Sequence, residues 1–383
     1  MQRGRQVGHI LGIPLRIDAS WLVVFALITW SLATAYFPEI NVNWPWALYW
    51  LLGLMTSVLF FASVVLHELA HSVMAIRRGT PVLGITLFVF GGVAWMADEP
   101  RTPFDELLIA VVGPLASFLA AFLFGALWLA TTGIAHLTRT SLLAPLVSAA
   151  GYLGAINGML ALFNLIPGFP LDGGRVLRAL LWGGSGDYSM ATRVASYVGQ
   201  AIAWLFVATG SVWLVMSWLN RVGGYADALW LLFIGWFLNT TARSSRQQLD
   251  IRRELHNLHV GEIMRRNFQS FPPQLSLLHL MEQMVDPWSG ALLWPVAQAG
   301  RLCGLLFRRD IEATPRSRWG TMTAGDLMQP RNPRQEVHPD DEAGKAFRLL
   351  QAQNVQFLPV VVDDLLVGLV YRHDLFSVLK RKT

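Results

Sequence analysis

Long uncharged apolar runs alternate along the chain with short breaks that carry arginine. The runs cover about Ala19 to Phe37, Trp46 to Ala75, Phe104 to Thr132, Leu142 to Ile166, Met190 to Leu219 and Trp230 to Thr241. A helix needs about 20 mainly apolar residues to cross a bilayer, so the pattern predicts about six transmembrane helices. Between the second and third runs, Gly79, Pro81, Gly84, Gly91 and Gly92 punctuate β-branched and aromatic residues up to Ala97, which predicts a short β or re-entrant segment. Gly113-Pro114 inside the third run predicts a kink or a close helix contact rather than a ligand site. After Ile166 the segment Pro167 to Arg175 holds two prolines and three glycines and cannot continue a regular helix.

Beyond Arg243 the pattern changes: charges and prolines become frequent, and no further stretch is long enough to span a membrane. A spacing of 64 residues there relates Gly261 to Gly325, Met264 to Met328, Pro295 to Pro359 and Asp310 to Asp374. It also relates Leu302-Cys303-Gly304-Leu305 to Leu366-Val367-Gly368-Leu369. Two copies of one α+β unit are expected. The fold class is a polytopic α-helical membrane domain at residues 1–242, a linker at 243–257 and an α+β domain at 258–383, with repeats at about 258–315 and 322–380.

Composition agrees with the membrane reading: 54% of the 383 residues are hydrophobic, 14% are charged, and 16 are Trp. The net charge of +5 sits beside the apolar runs, where basic residues set topology, and it does not argue for nucleic acid. Arg3, Arg5 and Arg16 precede the first run, Arg77 and Arg78 end the second, Arg175 and Arg178 follow the fourth, and Arg243 and Arg246 follow the sixth. By the positive-inside rule these flanks, and both termini, are expected in the cytoplasm. The basic start lacks the short apolar core of a removable signal peptide, so the first span is expected to be retained in an integral multi-pass protein of a prokaryotic plasma membrane. One cysteine, Cys303, excludes an intrachain disulfide and a cysteine-ligated zinc site.

Candidate chemistry concentrates at His67-Glu68-Leu69-Ala70-His71, at the end of the second run. Ionisable residues inside a membrane span are costly, and by default they mark function. On a helix, residues four apart share a face, so His67 and His71 can offer imidazole nitrogens to one ion while Glu68 leans over the adjacent face as a general base. Such a site needs a third ligand. The basic flanks place Asp172, in the broken segment, on the same membrane side as the histidines.

The pair of motifs His67-Glu68-Leu69-Ala70-His71 and Asn164-Leu165-Ile166-Pro167-Gly168-Phe169-Pro170-Leu171-Asp172-Gly173 resembles the site-2 protease family of intramembrane zinc metalloproteases, in its branch with carboxy-terminal CBS domains. The resemblance implies that the chain hydrolyses a peptide bond in or near a transmembrane helix of a membrane-protein substrate, within the lipid bilayer. It implies one Zn2+ per chain held by His67, His71 and Asp172, with Glu68 as catalytic acid/base and Asn164 near the reacting carbonyl. Gly91, Gly92, Val93 and Ala94 correspond to the family's substrate-binding strand, although a tight turn under the site would use the same glycines. For the CBS pair it implies Asp310 and Asp374 as ribose contacts of an adenine nucleotide. Phe307 and Tyr371 stand where that family carries Ser or Thr, so dimerisation to a homodimer or the positioning of a substrate tail is the competing role. CBS pairs also follow transporters, and a CBS-regulated transporter or a catalytically inactive scaffold is the alternative. Glu68 beside the first histidine favours the protease.

Overall fold

The computed structural model describes residues 4–220, 224–256, 258–283, 293–353 and 355–375. The chain divides into two compact units, Met1–Arg246 and Gln247–Thr383.

The first unit begins with a hairpin of β1 (Arg5–Ile10) and β2 (Ile13–Ile17). Leu11 and Gly12 both have positive φ, the two-residue turn that suits the right-handed twist of such a hairpin. Asp18 then caps α1 (Ala19–Ser31), accepting from the Ser20 N–H at 2.9 Å. This helix runs through a π-helical turn, Leu32–Tyr36, into α2 (Phe37–Ile40). Next comes α3 (Trp46–Arg77), then β3 (Val82–Phe88) and β4 (Gly91–Met96). The four strands form one sheet in the order β1-β2-β3-β4, with β2 and β3 parallel and the other pairs antiparallel. A parallel pair needs a long crossover, and α1 to α3 supply it. The free edge of β4 closes the sheet on the side of α3. Phe90, at the β3–β4 turn, stacks on Phe237 at 3.8 Å between ring centroids.

Five further helices follow: α4 (Pro103–Thr138), α5 (Ala144–Asn164), α6 (Asp172–Ser185), α7 (Tyr188–Asn220) and α8 (Tyr225–His256), of which the last begins in this unit. Among the described residues five helices are long and apolar enough to cross a membrane: Ala19–Ile40, α3, α4, α5 and α7. The sixth expected span is the start of α8, where the 15 uncharged residues between Asp227 and Arg243 make about 22 Å of helix against a hydrocarbon core of about 30 Å. Leu22, Phe122, Leu129, Trp204 and Leu205 are exposed on these helices, as side chains facing acyl chains should be.

The second unit shows its repeat as geometry. β5 (Leu293–Gln298) pairs with β6 (Arg301–Phe307) through Pro295↔Leu305, and β8 (Phe357–Val362) pairs with β9 (Leu365–Tyr371) through Pro359↔Leu369. A bulge follows Val296 in one hairpin and Val360 in the other. Together with β7 (Gln329–Pro330) they form a five-stranded sheet. The helices are α9 (Val260–Ile263), α10 (Leu277–Gln283), α11 (Arg308–Glu312), α12 (Ala324–Leu327) and α13 (Ala343–Ala352). The lead segments are exchanged: Leu258 and Val260 pack with Val360 and Leu350, whereas Ala324 packs with Phe271 and Leu306. Neither repeat completes its core alone. The expected end of the second repeat, 376–380, lies outside the described residues.

Candidate metal centre

Helix α3 carries His67 and His71 on one face, and both are buried, at 4% and 3% exposure. The broken segment delivers the third group: α5 stops before Pro167, Leu171 N–H turns back to Gly168 O, and Asp172 opens α6. His67 Nε2 and His71 Nε2 lie 3.2 Å apart, and each is 3.1 Å from Asp172 Oδ2. Tetrahedral zinc at about 2.0–2.1 Å from its ligands would separate them by about 3.3 Å, so the triangle has the size zinc requires.

Helix α4 prepares these atoms. His71 Nδ1 donates to Ile109 O at 2.6 Å, which fixes the proton there and leaves the Nε2 lone pair for the ion. Ser117 Oγ is 2.9 Å from His67 Nδ1 and holds that ring likewise. Gly113 lies between them: a Cβ on it would come 2.1 Å from His71 Nε2 and 2.8 Å from His67 Nε2. The close helix contact expected at Gly113-Pro114 is therefore present, and the side chains it approaches are the two imidazoles. No side chain can stand at position 113 without meeting both imidazoles, and His67, His71 and Asp172 form one candidate zinc site among the described residues.

Glu68, half-buried one position from His67, turns to the sheet. Its Oε2 accepts from Ala94 N–H of β4 at 3.0 Å, and a Cβ on Gly92 would come 2.5 Å from its Cγ. Gly91 opens β4 at φ 121°, and Val93 pairs with Thr86 of β3. The predicted base and the predicted strand thus meet. Asn164 is the last residue of α5 and is half-buried.

Several site features were not read from sequence. The β1–β2 hairpin occupies the stretch whose basic charge alone is prominent in the sequence, although Ile13, Leu15 and Ile17 alternate with Pro14 and Arg16. Helix α6 was hidden in the broken segment, although Val176, Leu177, Leu180 and Leu181 follow Asp172 at helical spacing. The roles of Ser117 and Ile109 had no signal, since one is a common hydroxyl and the other acts through its backbone.

In the second unit Asp374 accepts from Arg265 Nε and Nη2, both at 2.7 Å, and that guanidinium lies 5.0 Å from the centre of the Tyr371 ring. Asp310 sits in α11 with Arg309 Nε at 3.5 Å. A cleft of about 580 Å³ next to it is lined by Leu293, Phe307, Arg308, Arg309, Gln353 and Gln356.

Peptidase family M50 matches residues 55–206, and the CBS domain matches 324–381. The protein sll0528 of Synechocystis sp., a candidate zinc metalloprotease by name, is 33% identical over 99% of this chain and 96% of its own. Rip3 of Mycobacterium tuberculosis, likewise named, is 35% identical over 85% of this chain and 79% of its own. The solved site-2 protease from Methanocaldococcus jannaschii is 28% identical, covers 63% of this chain and 95% of that one, and superposes with a TM-score of 0.41. With identity of this extent and a zinc-sized ligand triangle at the matched residues, the chain belongs to peptidase family M50 and is a multi-pass membrane zinc metalloprotease of the site-2 protease kind, fused to a CBS pair.

Proposed function

We propose that Glu68 is the acid/base of this protease and that the edge of β4 receives the substrate as an added strand. The observation that carries the reading is the Ala94 N–H to Glu68 contact, which joins a donor of the sheet edge to the carboxylate beside the two imidazoles. His67, His71 and Asp172 would hold the zinc, which when bound would supply a water activated near neutral pH. Glu68 takes the proton of the attacking water and passes it to the departing amine, so no net proton is consumed. A transmembrane helix satisfies its own carbonyls, and pairing with β4 gives an unwound stretch of substrate replacement hydrogen bonds. Asn164, the last residue of α5, donates to the oxyanion that develops on the attacked carbonyl.

The substrate is a peptide bond in or beside a transmembrane helix of another membrane protein. The basic flanks support cytoplasmic termini in a prokaryotic plasma membrane, with the CBS pair on that side modulating activity and offering a surface for a homodimer. The test is cleavage of a synthetic transmembrane peptide by the detergent-purified chain, with zinc content measured on the same samples. Glu68→Gln is expected to lower turnover by about 10²–10⁴-fold with one zinc per chain retained. Unchanged turnover in Glu68→Gln would remove the carboxylate from the chemistry.

A further inference from the structure

Glu106, Arg175 and Arg178 take no part in the chemistry above, yet they are not an ordinary surface ion pair. Glu106 is fully buried near the start of α4. Its Oε1 accepts from Arg178 Nε at 2.8 Å and also from Arg178 Nη2, while Arg175 Nε stands 3.9 Å away. The Arg178 guanidinium is held between two rings, 4.9 Å from the centre of Phe169 and 4.7 Å from that of Tyr188. Burying two charges is expensive even when they are paired, so the pair needs a reason.

The reason lies in what the two helices carry. Along α4, Glu106, Ile109, Gly113 and Ser117 recur at helical spacing and share one face. Ile109 O fixes the His71 tautomer, Gly113 leaves room for the two imidazoles, and Ser117 holds His67. Glu106 is the fourth member of that stripe, and its partner is on α6, the helix that Asp172 begins. Asp172 itself emerges from the broken segment, where regular backbone support is lost, and Arg178 covers Phe169 of that segment.

We infer that the Glu106–Arg178 pair is a positioning device for Asp172: it fastens α6 and the Phe169 segment to the same face of α4 that orients both histidines. All three ligand atoms are then referenced to one helix. This rests on the zinc reading of the site. Neither residue touches the ion or the substrate. A pin that merely joined two helices would support the fold without favouring one ligand over another, and that difference can be measured.

The experiment is a zinc-affinity measurement by chelator competition on the full chain in detergent, with size exclusion and far-ultraviolet circular dichroism as checks of the fold. Glu106→Gln and Arg178→Met are each expected to weaken zinc by about 10–100-fold with the fold retained. The same Glu106→Gln change made on top of Asp172→Ala is expected to add less than about twofold, and on top of Ser117→Ala to keep its full factor. An undiminished loss in the Asp172→Ala background would overturn the inference, as would wild-type affinity in Glu106→Gln. Arg178→Lys keeps the charge but loses the fork and the ring stacking, and it stands in if Glu106→Gln misfolds; an intermediate loss is expected, and no loss would overturn the inference. A wild-type chain that bound no zinc would instead defeat the metal reading itself, which separates the two failures.

Discussion

Asp172 and Asp374 both answer to a sequence motif, yet the structure treats their carboxylates in opposite ways. Asp374 meets a guanidinium, with two hydrogen bonds of 2.7 Å from Arg265, so its charge is matched within the chain. Asp172 Oδ2 instead meets the Nε2 atoms of two imidazoles, one of which has its proton committed to the far nitrogen by Ile109 O. Two imidazole nitrogens and a carboxylate oxygen gathered within 3.2 Å are the donor set that a metal cation takes. A carboxylate that carries its own arginine has its charge met within the chain; one faced by imidazole nitrogens can share a cation with them. The two carboxylates are about equally shielded, and it is their partners that differ: the imidazoles are buried, whereas the Arg265 side chain is half-exposed.

The harshest way to break the contrast is to fill the space it depends on. Gly113→Ala would put a methyl 2.1 Å from His71 Nε2. The expected result is a loss of zinc affinity beyond the roughly 10–100-fold that a missing outer partner costs, with cleavage lost in parallel. Gly125→Ala in the same helix meets nothing within 4 Å and is expected to leave zinc untouched while stabilising the helix by up to about 1 kcal/mol. Equal zinc binding by the two variants would mean that the cradle is not where the ion sits.

A gentler change removes support without filling space. Ser117→Ala deletes the partner of His67 Nδ1 and is expected to weaken zinc by about 10–100-fold, read by the same competition titration, with Ser117→Thr restoring part of it. On the other side of the contrast, Arg265→Met takes the guanidinium from Asp374. Arg265 is half-exposed, so the cost to the unfolding midpoint of the second unit should stay within about 1 kcal/mol, and zinc affinity should not move.

The metal centre was legible because its chemistry is written in side chains at fixed spacing: two histidines one helical turn apart, and an aspartate after a segment that cannot be helical. The repeat was legible for a similar reason, since a common spacing survives in Gly261 and Gly325 and in the paired hairpins. What stayed hidden acts through backbone or through absence. Ile109 contributes a carbonyl that any residue possesses, Gly113 contributes room, and the parallel pairing of β2 with β3 joins segments separated by three helices. The start of α8 is a borderline case, because its apolar stretch has the composition of a span and is held to 15 residues by the charges at Asp227 and Arg243.

The smallest expected effect tests whether carboxylates with partners built into the chain behave as the contrast requires. Partial burial pushes the Asp341 carboxyl up, but the His338 N–H at 2.7 Å and the Lys345 ammonium at 2.7 and 2.8 Å pull harder, and the group is held below its ordinary value. A depressed carboxylate adds stability that is fully present above its unfolded value of about 3.9 and is lost as the pH falls through the folded value. Asp341→Asn is therefore expected to lower the denaturant midpoint of the second unit at neutral pH, by less than about 1 kcal/mol, and the gap to wild type should close as the pH falls below about 4. Cys303, the single cysteine, lies half-buried on β6 and packs against the core of the first repeat, so its exposure to a pyridyl disulfide, which reacts in acid, reports unfolding of this unit in the full chain. A gap that stayed constant from pH 7 to pH 3 would show that the charge of Asp341 contributes nothing beyond the shape of its side chain.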